Sequence, residues 1–266
     1  EAARELARLG LEAEPVLGYP AAFILRRGTV RELQATPLYR EGSIYVQSLA
    51  SMMPVLALAP EPGHSVLDLA AAPGGKTTQI AALTHGQGWI LANDSSRERF
   101  FKLKWAVETQ GAKNVELSLQ KGELLGRKYA DTFDRVLVDA PCSSEGRFRA
   151  GDPASFRYWK MAKIREMARK QKRLLRAGFE TLKAGGILVY STCTFAPEEN
   201  EEVVQWTLEK CGENFVLEPI PIRLGSRVPA LTSWEGKVFD RRIVHAARLL
   251  PTEILEAFFI ARIRKT

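Results

Sequence analysis

The sequence predicts an α/β protein: a Rossmann-like, mostly parallel sheet with helices on both faces, and a small α+β appendage at the N-terminus. Three observations point to this. From residue 64 onward, short apolar runs alternate with helical stretches, and strands separated by helices pair in parallel. Several apolar runs lead straight into small or turn-forming residues, as in "LDLAAAPGG" and "LVDAPCSS". This is how strand ends open onto a binding crevice. Finally, 266 residues with 45% hydrophobic content suit one large domain with a minor addition.

The elements follow in order. "EAARELARLG" (1–10) predicts a short amphipathic helix closed by Gly10. "LEAEPVLGYPAAFILRRG" predicts loop and strand fragments, because Pro15 and Pro20 interrupt it. This module is bounded at 1–36, and its start in mid-helix suits the remnant of a longer domain with a role in RNA binding. The main domain is 37–266. "SLASMMPVLAL" predicts a buried helix leading into it. The expected strands are "SVLDLA", "GWILAND", "NVELSL", "FDRVLVDA", "GGILVYS" and a final "AFFIARI". Between them lie the helices "KTTQIAAL", ending near Gly86, and "SRERFFKLKWAVETQG", ending at Gly111. A long basic helix over 160–183 and "PEENEEVVQWTLEKC" complete the set.

The net charge is +7, with an isoelectric point near 9.4. Such an excess favours a polyanionic partner, nucleic acid first, over a merely soluble basic surface. Residues 160–176 carry eight Lys or Arg against one Glu, and charge of one sign along a helix reads as a phosphate-contacting face. Arg147, Arg149 and Arg157 precede it. With no apolar run of 18 residues and no signal-peptide pattern, a cytoplasmic monomer with no membrane contact is expected. Cysteines at 142, 193 and 211 form no C-x-x-C, and His64, His85 and His245 have no ligand spacing, so no metal is expected.

"VLDLAAAPGGKTTQIAAL" (66–83) reads as strand, tight small-residue turn and helix. Such a turn lets backbone approach a ligand closely. "GKT" at 75–77 looks like the end of a phosphate-binding P-loop, but that motif needs a glycine where Ala70 stands, and Pro73 removes an amide donor. An adenosyl cofactor without phosphates fits better. Asp94, closing the next strand, then suits the ribose hydroxyls; otherwise it caps the following helix. Cys142 and Cys193 each follow a strand, at the edge where ligands bind in open α/β sheets. Taken singly, each is more simply a small core residue; a pair facing one crevice is less so. Asp139, three residues before Cys142, suits a proton donor to a ring nitrogen or a turn carboxylate.

Together, "LDLAAAPGGKTTQ", "NDSSRER", "DAPCSSEG" and "YSTCTFAPEENE" resemble, in order and spacing, the motifs of the Sun-type RNA cytosine-5 methyltransferases, above all the bacterial 16S ribosomal RNA enzymes. "PLYREGSIYVQSLASMM" is similar to that family's lead-in motif and "EAFFIARIRK" to its closing strand, so the likeness covers residues 37–266. The resemblance implies a class I methyltransferase catalytic domain, S-adenosylmethionine as methyl donor, and RNA (ribosomal or transfer) as partner. By position, Ala70, Ala71, Ala72, Pro73, Gly74, Gly75 and Lys76 would form the cofactor loop, with Lys76 also in the catalytic group. Asp94 would bind ribose, and Arg99, Lys121 and Pro141 would complete the cofactor site. Asp139 would face both cofactor and base. Cys193 would be the nucleophile and Cys142 would assist product release. Lys121 departs from the family's Asp near the adenine and, as a Lys, cannot accept a hydrogen bond from the adenine amine. Ala106 stands where the family often has Asn.

The chemistry explains the residue types. Carbon 5 of cytosine is a poor nucleophile until a thiolate adds at carbon 6 and makes an enamine. That thiolate needs positive charge or helix N-termini nearby, and the base must leave its stack. Chemistry alone does not choose between the cysteines. "Pro-Cys" resembles the nucleophile site of DNA cytosine methyltransferases, which favours Cys142; the family likeness favours Cys193, which is the choice made here. Two other readings compete: a P-loop-like nucleotide hydrolase, and a non-catalytic RNA-binding subunit on a methyltransferase scaffold.

Overall fold

The computed structural model describes residues 2–149, 151–222 and 226–266. Glu1, which heads the expected first helix, lies outside them. The chain opens with α1 (Ala2–Arg8), the antiparallel hairpin β1 (Glu12–Val16) and β2 (Tyr19–Arg27), and α2 (Val30–Gln34), followed by α3 (Pro37–Arg40). Pro15 and Pro20 sit inside these two strands rather than breaking them. A two-stranded hairpin has only edges, where a missing amide is tolerated. Leu6, Leu11 and Leu38 form a small core here.

The main sheet contains β3 (Ser65–Asp68), β4 (Trp89–Asn93), β5 (Val115–Ser118), β6 (Phe133–Asp139), β7 (Leu182–Thr192), β8 (Phe215–Glu218) and β9 (Arg227–Pro229). After a separate small hairpin, β10 (Ser233–Trp234) with β11 (Lys237–Val238), it is completed by β12 (Ala247–Leu249) and β13 (Phe258–Lys265). The order is β5-β4-β3-β6-β7-β13-β12-β9, with β8 also on β13. Pairing is parallel from β5 to β7. Beyond β7 it is antiparallel, which extends the sheet past the expected six strands. Strands β8, β9 and β12 are three or four residues long, too short for an alternation to show in sequence.

Side chains alternate across the parallel strands. Val66, Ile90, Leu137 and Val189 face α4 (Leu49–Leu58) and α5 (Gly75–Leu83). Leu67, Leu91, Val136, Val138 and Leu188 face α8 (Met161–Thr181) and α9 (Glu201–Cys211). α6 (Arg97–Thr109) covers the β4–β5 end through Leu103 and Val107, and α7 (Leu125–Lys128) precedes β6. α8 buries Ile164, Met167, Gln171, Leu174, Leu175 and Gly178, a three-to-four spacing that turns its Lys and Arg to solvent. Replacing fully buried Leu175 by Ala would cost about 2–5 kcal/mol. α9 starts at Glu201, later than expected, because 197–200 form a turn with Glu199 and Asn200 buried. Among the described residues no helix is long and apolar enough to cross a membrane.

Candidate active site

The crevice lies at the carboxyl ends of β3, β4, β6 and β7. Its first wall is the loop Leu69–Gly74. Gly74 has φ of +114°, and a Cβ there would stand 2.7 Å from the Ala106 Cβ. Ala106 is therefore the small partner that lets the loop sit on α6. The Ala72 amide donates to Asp94 Oδ2 (3.2 Å), and the Ser96 amide to Asp94 Oδ1 (2.8 Å). Arg99 lies 3.7 Å from the Asp94 carboxylate and donates to the Ala72 carbonyl. Asp94 thus ties loop to helix, while Ser96 is the residue that caps α6. Asn93 donates to the Leu69 and Gln120 carbonyls and accepts from the Gln120 amide, each at 3.1 Å. A small cleft opens here, lined by Ala70, Asp94, Arg99, Gly122, Glu123 and Pro141, among others. Lys121 is exposed at the start of the short turn Gly122–Leu124, and Gly122 and Glu123 beside it line the cleft.

The second wall is built on β6 and β7. Their parallel register sets Asp139 opposite Ser191, so residues just past each strand end become neighbours. Ser191 donates to Asp139 Oδ1 at 2.8 Å. Lys76, in the first turn of α5, places Nζ 2.6 Å from Asp139 Oδ2 and donates to Ser51 Oγ at 2.7 Å. Lys76 is thus engaged by a carboxylate and a hydroxyl of the chain itself. Below it, fully buried Asp68 accepts from Thr77 (2.7 Å), while its Oδ1 has no partner among the described residues. Burial pushes its carboxyl up to about 7.

Cys142 and Cys193 meet with 3.4 Å between sulfurs. Ser144, held at φ of +62°, lies 3.6 Å from Cys193 Sγ and 3.9 Å from Cys142 Sγ. The Cys193 thiol is lowered, first by the hydrogen bond from Cys142 and then by the positive charge of Arg147, against the effect of burial. The Cys142 thiol is raised well above its ordinary value, first by that same bond and then by burial. One thiolate shared over two sulfurs accounts for both directions. Cys211, late in α9, belongs to neither wall.

Sequence reasoning missed the scaffold behind Cys142. Buried Glu199 accepts from the Ser143 amide at 3.0 and 3.2 Å and from Gln171 of α8 at 2.7 Å. Gln171 also donates to the Pro141 carbonyl at 2.9 Å. Ser143 and Thr194 share a hydroxyl hydrogen bond of 2.8 Å, linking the two cysteine segments directly. Glu199 lies in "PEENEE", an acidic run that reads as a solvated helix start; only the turn that precedes α9 carries it inward.

The model of the family described as 16S rRNA methyltransferase RsmB/F matches residues 55–264. The chain belongs to this family. Its architecture is the class I methyltransferase fold, and membership makes it a methyltransferase domain. A tRNA (cytosine(49)-C(5))-methyltransferase from Pyrococcus abyssi is 41% identical over 85% of this chain and 72% of its own length. A ribosomal RNA small subunit methyltransferase F from Shewanella amazonensis is 40% identical over 85% of this chain. The match spans only 47% of that relative, about half its length. Among solved structures, a methyltransferase homolog protein from Pyrococcus horikoshii has a TM-score of 0.84 at 37% identity, covering 99% of this chain and 81% of that one. The NSun6 protein of Pyrococcus horikoshii, solved with SFG, has a TM-score of 0.75 at 32% identity, covering 92% and 59%. The motif likeness seen in the sequence is thus to the right family.

Proposed function

We propose that this chain methylates carbon 5 of a cytosine in RNA, with S-adenosylmethionine as donor and Cys193 as covalent nucleophile. The observation that carries the reading is the thiol pair: two sulfurs 3.4 Å apart, at neighbouring strand ends, with the Cys193 thiol lowered.

The cleft residues fit the donor. Its adenine amine, ribose hydroxyls and ammonium all donate hydrogen bonds, and the wall supplies the Asp94 and Glu123 carboxylates with apolar Pro141 and Leu174 beside them. Ala70 to Gly75 would pass close to it. When bound, S-adenosylmethionine supplies an electrophilic methyl on sulfur.

The chain's own groups do the rest. Cys193 thiolate adds to carbon 6 of an extruded cytosine. Asp139, ion-paired with Lys76 and bonded by Ser191, is placed to accept from the exocyclic amine, or from ring nitrogen 3 once that nitrogen has taken a proton, as charge builds on the ring. Bonding to carbon removes the Cys193 negative charge. The main cause of the raised Cys142 thiol then disappears; Cys142 gives its own proton to solvent and, as thiolate, takes the carbon 5 proton, which lets the adduct collapse and expel Cys193 as thiolate.

The family points to ribosomal RNA, and the Pyrococcus abyssi relative to transfer RNA as the next substrate. Incubating the protein with 16S ribosomal RNA or tRNA and methyl-labelled donor, then digesting to nucleosides, should yield labelled 5-methylcytosine. Bisulfite sequencing of RNA from cells with and without the gene would locate the base. Turnover that survives Cys193→Ala but not Cys142→Ala would overturn the assignment of the nucleophile, and the absence of labelled 5-methylcytosine would leave a non-catalytic RNA-binding role.

A further inference from the structure

The segment from Glu145 to Met161, which leaves the cysteine site and runs into α8, exposes an unusual amount of aromatic surface. Tyr158 is 72% exposed, Trp159 47% and Phe156 41%. Three large rings facing water within four residues are costly on a protein that leaves them bare. Nor are they loosely tethered. The Gly146 amide donates to the Cys193 carbonyl at 3.0 Å, which staples the start of the segment to the nucleophile. The Trp159 indole N–H donates to Glu145 Oε1 at 2.6 Å, and the other Glu145 oxygen accepts from Thr194, next to Cys193, at 3.1 Å. One carboxylate therefore ties the Trp159 ring to the cysteine strand. The Arg157 guanidinium lies 4.4 Å from the Tyr158 ring centroid and covers one face of it. Arg149, Arg157 and Lys160 are exposed around these rings and continue into the solvent face of α8.

Rings amid one-sided positive charge match an unpaired nucleic-acid strand: phosphates meet the cations and bases stack on the rings. Resting on the reading of the site as an RNA methyltransferase, we propose that Tyr158, Trp159 and Phe156 form a stacking platform for the nucleotides flanking the target cytosine, so that the enzyme takes its substrate as single-stranded or opened RNA. An extruded base leaves a gap in its own stack, and the exposed neighbours of that gap are what the platform receives.

The test measures binding of a fluorescently labelled single-stranded 12-nucleotide RNA to the full chain by anisotropy. Tyr158→Ala should weaken binding about tenfold or more, the loss of one base–aromatic stack. Tyr158→Phe and Tyr158→Trp should restore it, since each keeps a ring face; a purely structural role would not be rescued by the larger Trp. An oligomer of the same length with abasic flanks should bind wild type and Tyr158→Ala equally. Unchanged affinity in Tyr158→Ala, or equal loss in Tyr158→Phe, overturns the proposal and leaves the patch to a protein partner. Methyl transfer measured on the same proteins at saturating RNA separates the two readings: a wild type that stacks RNA but transfers no methyl sinks the enzymatic assignment and spares the platform.

Discussion

At the ends of β3 and β4 the crevice is held by backbone amides on a carboxylate, by a side-chain amide on carbonyls, and by glycine contacts with no room for a Cβ. At the ends of β6 and β7 it is held by two pairs of ionisable groups, Lys76 with Asp139 and Cys142 with Cys193, while buried Glu199 behind them is fixed by the Ser143 amide and Gln171. Under the proposed function the first half needs a fixed shape for one small molecule in every turnover, and neutral or fully paired contacts give that. Under the same proposal the second makes, moves and removes a proton and a covalent bond. Groups whose proton affinity depends on a neighbour can do so. The difference teaches where substitutions should change shape and where they should change chemistry.

The contrast can be broken most severely at Cys193. Cys193→Ala should lower methyl transfer by at least about 10³-fold with donor binding unchanged. Cys142→Ala should instead leave a protein–RNA adduct visible on a denaturing gel, because addition proceeds and collapse does not. Next comes Asp68, between the two halves. Its folded carboxyl titrates near 7 while the unfolded one titrates near 4. A raised folded value means that its stabilising contribution is complete below about pH 4 and is lost as pH rises through about 7. Compared with wild type, Asp68→Asn should lose a decline on the order of 4 kcal/mol across that window, read from denaturant melts. Thr77 keeps an acceptor in the variant.

In the shape-holding half, Asp94→Ala should weaken donor binding by about 10–100-fold in calorimetry, while the pH dependence of thiol alkylation stays put. A shifted alkylation profile would show that the halves are not independent. Arg147→Ala should do the reverse, moving the pH at which Cys193 reacts with iodoacetamide upward while donor affinity holds. The smallest effect belongs to the outer surface. Arg169→Ala on the exposed face of α8 should reduce the slope of log affinity against log salt by about 1, with uniform weakening across RNA sequences.

The parallel strands were legible because most are apolar runs, and three of them, β3, β4 and β6, run into Asp68, Asp94 and Asp139. The meeting of Cys142 and Cys193 was legible because both follow such runs, and parallel neighbours end at the same edge. Glu199 and Gln171 were not, since one lies in an acid-rich run and the other in a Lys- and Arg-rich helix, and their burial comes from a turn and a helix face contributed by distant segments.

The amino-acid order by itself determined the α/β class, the small-residue loop after β3, the strand ends that carry the cysteines, and the basic face of α8, because all of these depend on neighbours within a few residues. Only the tertiary structure decided which sulfur is favoured as thiolate, which carboxylates are buried, and how Trp159 is tied to the cysteine strand. Proton affinity and orientation depend on burial and on charges within a few ångströms, and those neighbours come from parts of the chain that local sequence does not bring together.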